Sequence, residues 1–357
     1  MTDAPTDSLD GESLPSAADK LIYADIEPPE SGRIVPIGSG VHWLRMPLLG
    51  ELGHINLWLI EHAGGFVAVD TGMATSEGKE VWNSLREPLL KDLPLQLIVV
   101  THLHPDHVGL AAWLQEQFDV PVWMSSKSED QVRDVLTPKS KDEISTRIAF
   151  LQSHGVANTP TLTGSLIGEK FRDIVSGVPV VDRHPQDGDE VVWGGVRWQF
   201  LEVGGHAAGH LCLHAPELKI LISGDQVLPT ISPNISLHET RLDANPLSSY
   251  LGSLDRLAQL DSQTLVLPSH GRPFYGLRPR AMDLRNHHFL QLDRLRAACA
   301  QPLTAERAIT VMFARTLRGF HWFLAIGEAI AHLEYLAAVG RVKRCVGDDG
   351  RVHFLAE

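Results

Sequence analysis

Short apolar runs bounded by glycine and proline occupy residues 40–44, 55–60 and 66–69, and their length predicts a β-meander. Residues 75–90 change period. Val81, Trp82, Leu85 and Leu89 recur at helical spacing and precede a wholly apolar run at 97–100, the pattern of a strand buried on both faces. Further on, 108–118 reads as a helix, 120–124 as a strand and 128–135 as a second helix. Residues 137–176 lose the strand pattern and hold helical stretches such as 141–154, which predicts a helical insertion leaning over a cleft. Strands resume from Val180 through 190–193, a Gly-Gly turn and 196–201, and then at 218–223 and 264–268. Beyond about Leu277 three helical segments (278–300, 305–316 and 322–339) lead into a hairpin over 342–354, an order similar to a winged helix.

Composition narrows the reading. A chain of 357 residues exceeds one ordinary core, so a large domain over 21–276 and a smaller one over 277–357 are expected. Residues 1–20, rich in Asp, Ser, Pro and Gly, read as a flexible tail, and their acidity and lack of an apolar stretch predict a cytoplasmic protein. A hydrophobic fraction of 43% suits a globular protein, and no apolar run reaches the roughly 20 residues that cross a bilayer. The formal charge of −13 opposes non-specific binding to nucleic acid or anionic membrane. Cys212, Cys299 and Cys345 are odd in number and far apart, which supports neither a disulfide framework nor a thiolate metal site.

The chemistry concentrates where the 97–100 strand ends. Thr101-His102-Leu103-His104-Pro105-Asp106-His107-Val108-Gly109 places four ligand-type side chains in six residues. On an extended loop His102 and His104 point the same way, because side chains alternate with period two, so they can share one metal. Asp106 and His107 lie where the chain turns into a helix and can face a second metal roughly 3.5–4 Å away.

This HxHxDH run with its following Gly109 resembles the signature of the metallo-β-lactamase superfamily. The other motifs of that family have counterparts in the same order: Asp70 in Val69-Asp70-Thr71-Gly72, His206 in Gly204-Gly205-His206, Asp225 in Ser223-Gly224-Asp225, and His270 in Pro268-Ser269-His270-Gly271. The resemblance covers residues from about 35 to 275 and implies an αββα sandwich, followed here by a mainly helical, winged-helix-like domain. It further implies that His102, His104 and His206 hold one metal and Asp106, His107 and His270 another. Asp225 would bridge them, and Asp70 would orient a ligand without touching metal. The implied cofactor is two divalent ions, Zn²⁺ first, with Fe or Mn also suited to nitrogen and oxygen ligands. Asp106 and Asp225 are then the catalytic carboxylates of a hydrolase whose nucleophile is a metal-activated hydroxide, and no G-x-S-x-G elbow is present or needed.

The motif leaves the substrate open, because this family cleaves thioesters, lactones, β-lactams, phosphodiesters and sulfate esters with similar centres. Lactonase-like relatives carry a Tyr three residues after the bridging Asp, where this chain has Leu228. That favours a small ester or thioester over a lactone, with a phosphodiesterase or endoribonuclease as the alternative. Leu228 and His54 are expected to border the substrate. His210 is expected to pack or donate a hydrogen bond, and His287 and His288 to lie on a solvated or packed helix face. The third C-terminal helix carries Glu328, His332 and Glu334 with no Lys or Arg, so packing or homodimer formation is expected of that domain in place of DNA reading, and a DNA-binding regulator ranks last.

Overall fold

The protein is described from a computed structural model that covers residues 21–50, 52–157, 171–239, 245–314 and 316–356. The expected tail over 1–20 and part of the expected insertion, 158–170 with Leu166, lie outside the described residues.

Two seven-stranded sheets form the centre. The first contains, in spatial order, β2 (Ile34–Gly38), β3 (Val41–Pro47), β4 (His54–His62), β5 (Gly65–Val69), β6 (Leu95–Val99), β7 (Val122–Trp123) and β8 (Val181–Arg183). The second runs β1 (Ile22–Tyr23), β14 (Phe274–Tyr275), β13 (Leu265–Pro268), β12 (Ile220–Gly224), β11 (His210–Ala215), β10 (Val196–Val203) and β9 (Glu190–Trp193). Strand alternation divides the apolar residues between two faces. In β4 and β5, Trp58, Ile60, Val67 and Val69 point between the sheets, where they meet Trp198, Phe200, Leu213, Ile222 and Leu267 of the second sheet. Leu57, Leu59, Phe66 and Ala68 point outward onto Trp82 and Leu85 of α1 (Ser76–Leu85) and Leu114 of α3 (Ala111–Phe118). The outer face of the second sheet, with Leu201, Cys212, Leu221 and Val266, is covered by α6 (Pro246–Leu257) and by helices beyond it. The layers are therefore αββα.

Two expected helices differ from the sequence reading. Helix 75–90 stops at Leu85 and continues as a wider π-helical turn, Arg86–Leu90, because Pro88 has no N–H for the regular ladder. Helix 108–118 is split into α2 (Pro105–Val108) and α3, since the Leu110 N–H donates to the Gly72 carbonyl at 3.0 Å and to Thr71 Oγ1 at 3.1 Å. Gly109 sits at that break, where a Cβ would stand 2.1 Å from the Pro105 carbonyl oxygen and 2.6 Å from that of Gly72. Strands β1, β2, β11 and β14 and helix α6 were not expected from the pattern.

The described part of the insertion follows α4 (Ser126–Leu136) and holds α5 (Lys141–Ser153), which is started by a reciprocal Ser140–Glu143 capping box. Leu151 and Val156 join the C-terminal core, and Arg147 pairs with Glu239. The C-terminal part consists of α7 (Leu277–Ala298), α8 (Ala305–Met312) and α9 (Gly319–Ala338), followed by the antiparallel pair β15 (Val342–Val346) and β16 (Val352–Ala356). Among the described residues no helix is long and apolar enough to cross a membrane.

Candidate metal centre

Every motif residue sits at one edge of the sandwich, just after a strand. His102 and His104 follow β6, Asp106 and His107 form α2, His206 lies between β10 and β11, and Asp225 and His270 follow β12 and β13. The apolar strands fix these positions because their ends are set by burial between layers.

Ligand-type atoms of His102, His104, His206 and Asp225 lie within 4.8 Å of one another, and those of Asp106, His107 and His270 do likewise. Asp225 joins the two groups. Its Oδ2 is 3.4 Å from His206 Nε2 and 3.9 Å from His102 Nε2, while its Oδ1 is 3.5 Å from His107 Nε2 and 3.4 Å from His270 Nε2. His102 Nε2 and His104 Nδ1 approach to 2.9 Å, the same-side placement expected of alternate residues.

The far sides of four of these rings are tied down. His107 Nδ1 donates to Asp70 Oδ2 at 2.8 Å, His206 Nδ1 to the Asn234 carbonyl at 2.9 Å, and His270 Nδ1 to the His54 carbonyl at 3.0 Å. His102 Nδ1 is 3.0 Å from Thr101 Oγ1, which in turn donates to Asp70. These bonds keep a proton on Nδ1 and leave Nε2 as the atom aimed inward, free to bind a cation in place of a proton. Asp70 reaches its place through left-handed backbone with φ of 66°, a region open to Asp, and also accepts the Thr101 N–H at 2.8 Å. Gly205 positions His206. Its φ is 107°, and a Cβ there would stand 2.3 Å from the Tyr250 Cβ.

The donor set suits cations. His107 Nε2 and Asp225 Oδ1 are buried without a hydrogen-bond partner, an arrangement that a divalent ion between them satisfies. Burial opposes charge on His107, yet the carboxylates of Asp106, Asp70 and Asp225 outweigh it and raise its imidazole well above the ordinary value. For His102 burial dominates, the neighbouring imidazoles add to it, and protonation is strongly suppressed. With carboxylates and imidazoles but no thiolate, the residues present fit one or two divalent ions of the zinc class.

The remaining expected site residues fall nearby. The His54 ring is half-buried beside His270, and its Nε2 accepts the Gly271 N–H at 3.2 Å. Burial, with Arg45 and His270 adding to it, lowers its pKa to about 4. Leu228 is buried, and its carbonyl accepts from Arg280 at 2.7 Å. His210 stacks on His102 with ring centroids 4.7 Å apart, and its Nε2 accepts the Asp225 N–H at 3.2 Å.

Sequence reasoning missed three supporting residues. Asn56 takes the Trp43 indole N–H at 2.8 Å and donates to the carbonyls of Pro268 and Gly271 at 2.9 and 2.8 Å, which pins the His270 loop to the first sheet. Its signal was a lone amide inside an apolar strand. Thr101 stood beside the motif, whereas Asn234 gave no sign, being 28 residues from the ring it serves.

A sequence model described as the metallo-beta-lactamase superfamily matches residues 50–270, and one described as the metallo-beta-lactamase-like C-terminal domain matches 292–357. A crystal structure of a beta-lactamase domain protein from Burkholderia ambifaria superposes with a TM-score of 0.86 at 36% identity, over 94% of this chain and 98% of that one. A metallo-beta-lactamase family protein from Thermus thermophilus gives 0.76 at 29% identity, over 90% and 100%. An acyl-coenzyme A thioesterase of Homo sapiens, MBLAC2, is 28% identical over 249 residues, 67% of this chain and 80% of that protein.

Proposed function

The chain belongs to the metallo-β-lactamase superfamily, and from that premise we propose that it is a dinuclear metal-dependent hydrolase acting on an ester or thioester of a small molecule. The observation that carries the reading is the division of Asp225, one carboxylate oxygen facing His102 and His206 and the other His107 and His270. In this reading His102, His104 and His206 hold one ion, Asp106, His107 and His270 the other, and Asp225 both. Zinc is the favoured metal. When bound, such ions supply Lewis acidity and lower the pKa of water towards ~7, so no protein nucleophile is needed.

The chain's own residues supply geometry. Asp70 and the carbonyls of Asn234 and His54 hold the imidazole tautomers, and Thr101 ties the His102 ring to the same network. Asn56 locks the His270 loop to β4, so the two halves of the site keep their spacing. The Arg147–Glu239 pair joins α5 to the segment that carries Asn234, which supports the insertion as one wall of the substrate entrance.

Similarity to an acyl-coenzyme A thioesterase supports a thioester substrate. The test is a panel of thioesters, esters, lactones, phosphodiesters and a chromogenic β-lactam on protein of known metal content. Thioesters or esters should give the highest kcat/KM. A phosphodiester preference would overturn the substrate assignment, and no hydrolysis by fully metallated protein would overturn the enzyme assignment.

A further inference from the structure

A third group of ligand-type residues lies where the C-terminal helices meet the rest of the protein. Glu328 and His332 are one turn apart on the same face of α9, and His288 faces them from α7. His288 and His332 are fully buried, and one ligand atom from each of the three residues lies within 4.8 Å of the others. The sequence reading treated these histidines as ordinary helix positions. Only the packing of α7 against α9 brings them together.

Their hydrogen bonds restrict the protons. His332 Nδ1 is 2.8 Å from the Glu328 carbonyl, which only accepts, so the proton is on Nδ1 and His332 Nε2 carries a lone pair. That lone pair faces His288 Nδ1 at 3.0 Å. The other nitrogen of His288 is 3.2 Å from Ser232 Oγ, a hydroxyl that can donate or accept. Two arrangements satisfy these contacts. In one, His288 Nδ1–H donates to His332 and the chain from Ser232 to the Glu328 carbonyl closes without any ion. In the other, His288 Nε2–H donates to Ser232, two lone pairs converge, and a cation is required between them.

Three observations favour the cation. Ser232 Oγ donates to the Pro233 carbonyl at 3.3 Å, which leaves it to accept from His288 Nε2–H and turns the His288 Nδ1 lone pair towards His332. Each imidazole bonds outward through its non-facing nitrogen, as metal-bound histidines do. The Glu328 carboxyl lies beside them as a third ligand-type group, with the Asn234 amide donating to Oε2 at 3.1 Å.

We propose that His288, Glu328 and His332 form a third divalent-cation site, of the zinc class, separate from the pair built on the HxHxDH motif. Two imidazoles and one carboxylate are a set that zinc accepts, with further positions open to water. The site is connected to the first centre. Asn234 donates its side-chain amide to Glu328 and accepts from His206 through its carbonyl, so an ion held by Glu328 stiffens the support of a ligand at the other centre.

The experiment uses the full chain reconstituted with Zn²⁺ and dialysed against zinc-buffered solution. Elemental analysis should find one more zinc per chain in the unmodified protein than in Glu328→Gln or His332→Gln. Crystals of the unmodified protein, recorded at the zinc absorption edge, should show an anomalous peak about 2.0–2.2 Å from His288 Nδ1, His332 Nε2 and a Glu328 oxygen. Equal zinc content in all three proteins, or no peak at this cluster in crystals that show zinc beside Asp225, overturns the proposal and leaves the closed hydrogen-bond chain. A peak at this cluster with none beside Asp225 supports the third site and counts against the dinuclear hydrolase reading.

Discussion

Asp70→Asn separates the orienting role of this carboxylate from its bulk. Asparagine also adopts the left-handed backbone, so the φ of 66° adds no new strain, and its side-chain oxygen can still accept from Thr101. The change falls on His107. Where Asp70 Oδ2 accepts the Nδ1 proton at 2.8 Å, the variant places an amide donor, so His107 must move its proton to Nε2, the atom aimed into the centre. Loss of such an orienting partner weakens metal affinity about 10–100-fold, or roughly 1.4–2.7 kcal/mol. Stability of the metal-free chain should fall by about 1–3 kcal/mol through the lost charge-assisted bond. Zinc affinity is read by competition with a chromogenic chelator, and stability by urea unfolding of chelator-treated protein. An affinity within twofold of the unmodified chain, in a variant that folds, would refute the claim that Asp70 sets the His107 tautomer.

Asp225→Ala removes the group shared by both halves of the centre and should lower turnover by more than about 100-fold, since orienting partners alone are worth 10–100-fold. Metal analysis should show reduced occupancy, and full occupancy with retained activity would count against the bridge. Gly205→Ala drives a Cβ to 2.3 Å from that of buried Tyr250 at a φ of 107°. It should cost about 2–5 kcal/mol in urea unfolding. Glu328 yields a pH prediction for the metal-free chain. Burial raises its folded pKa to about 7, so between the unfolded value near 4.3 and pH 7 the folded state binds more protons. Stability therefore declines as pH rises through that window and levels above it. The difference between unmodified protein and Glu328→Gln should change by no more than about 4 kcal/mol, and a pH-independent difference would contradict the burial argument.

The sequence alone carried what is local or periodic. Apolar runs of strand length revealed most of the sandwich, and a strand end running into HxHxDH revealed the principal half of the centre. Strand alternation requires that His102 and His104 share a side. The resemblance to the metallo-β-lactamase superfamily, followed in chain order, pointed to Asp70, His206, Asp225 and His270, and each of them comes just after a strand. Tertiary structure decided whatever depends on elements far apart in sequence. Asn56 supports a loop more than 200 residues away, and the Asn234 carbonyl holds His206 across 28. His288 meets His332 only because α7 packs on α9. The side chain of one helix has no periodic signature for the chemistry of another. Which buried polar groups become partners is set by how the layers pack, and by the cost of leaving any of them unpaired.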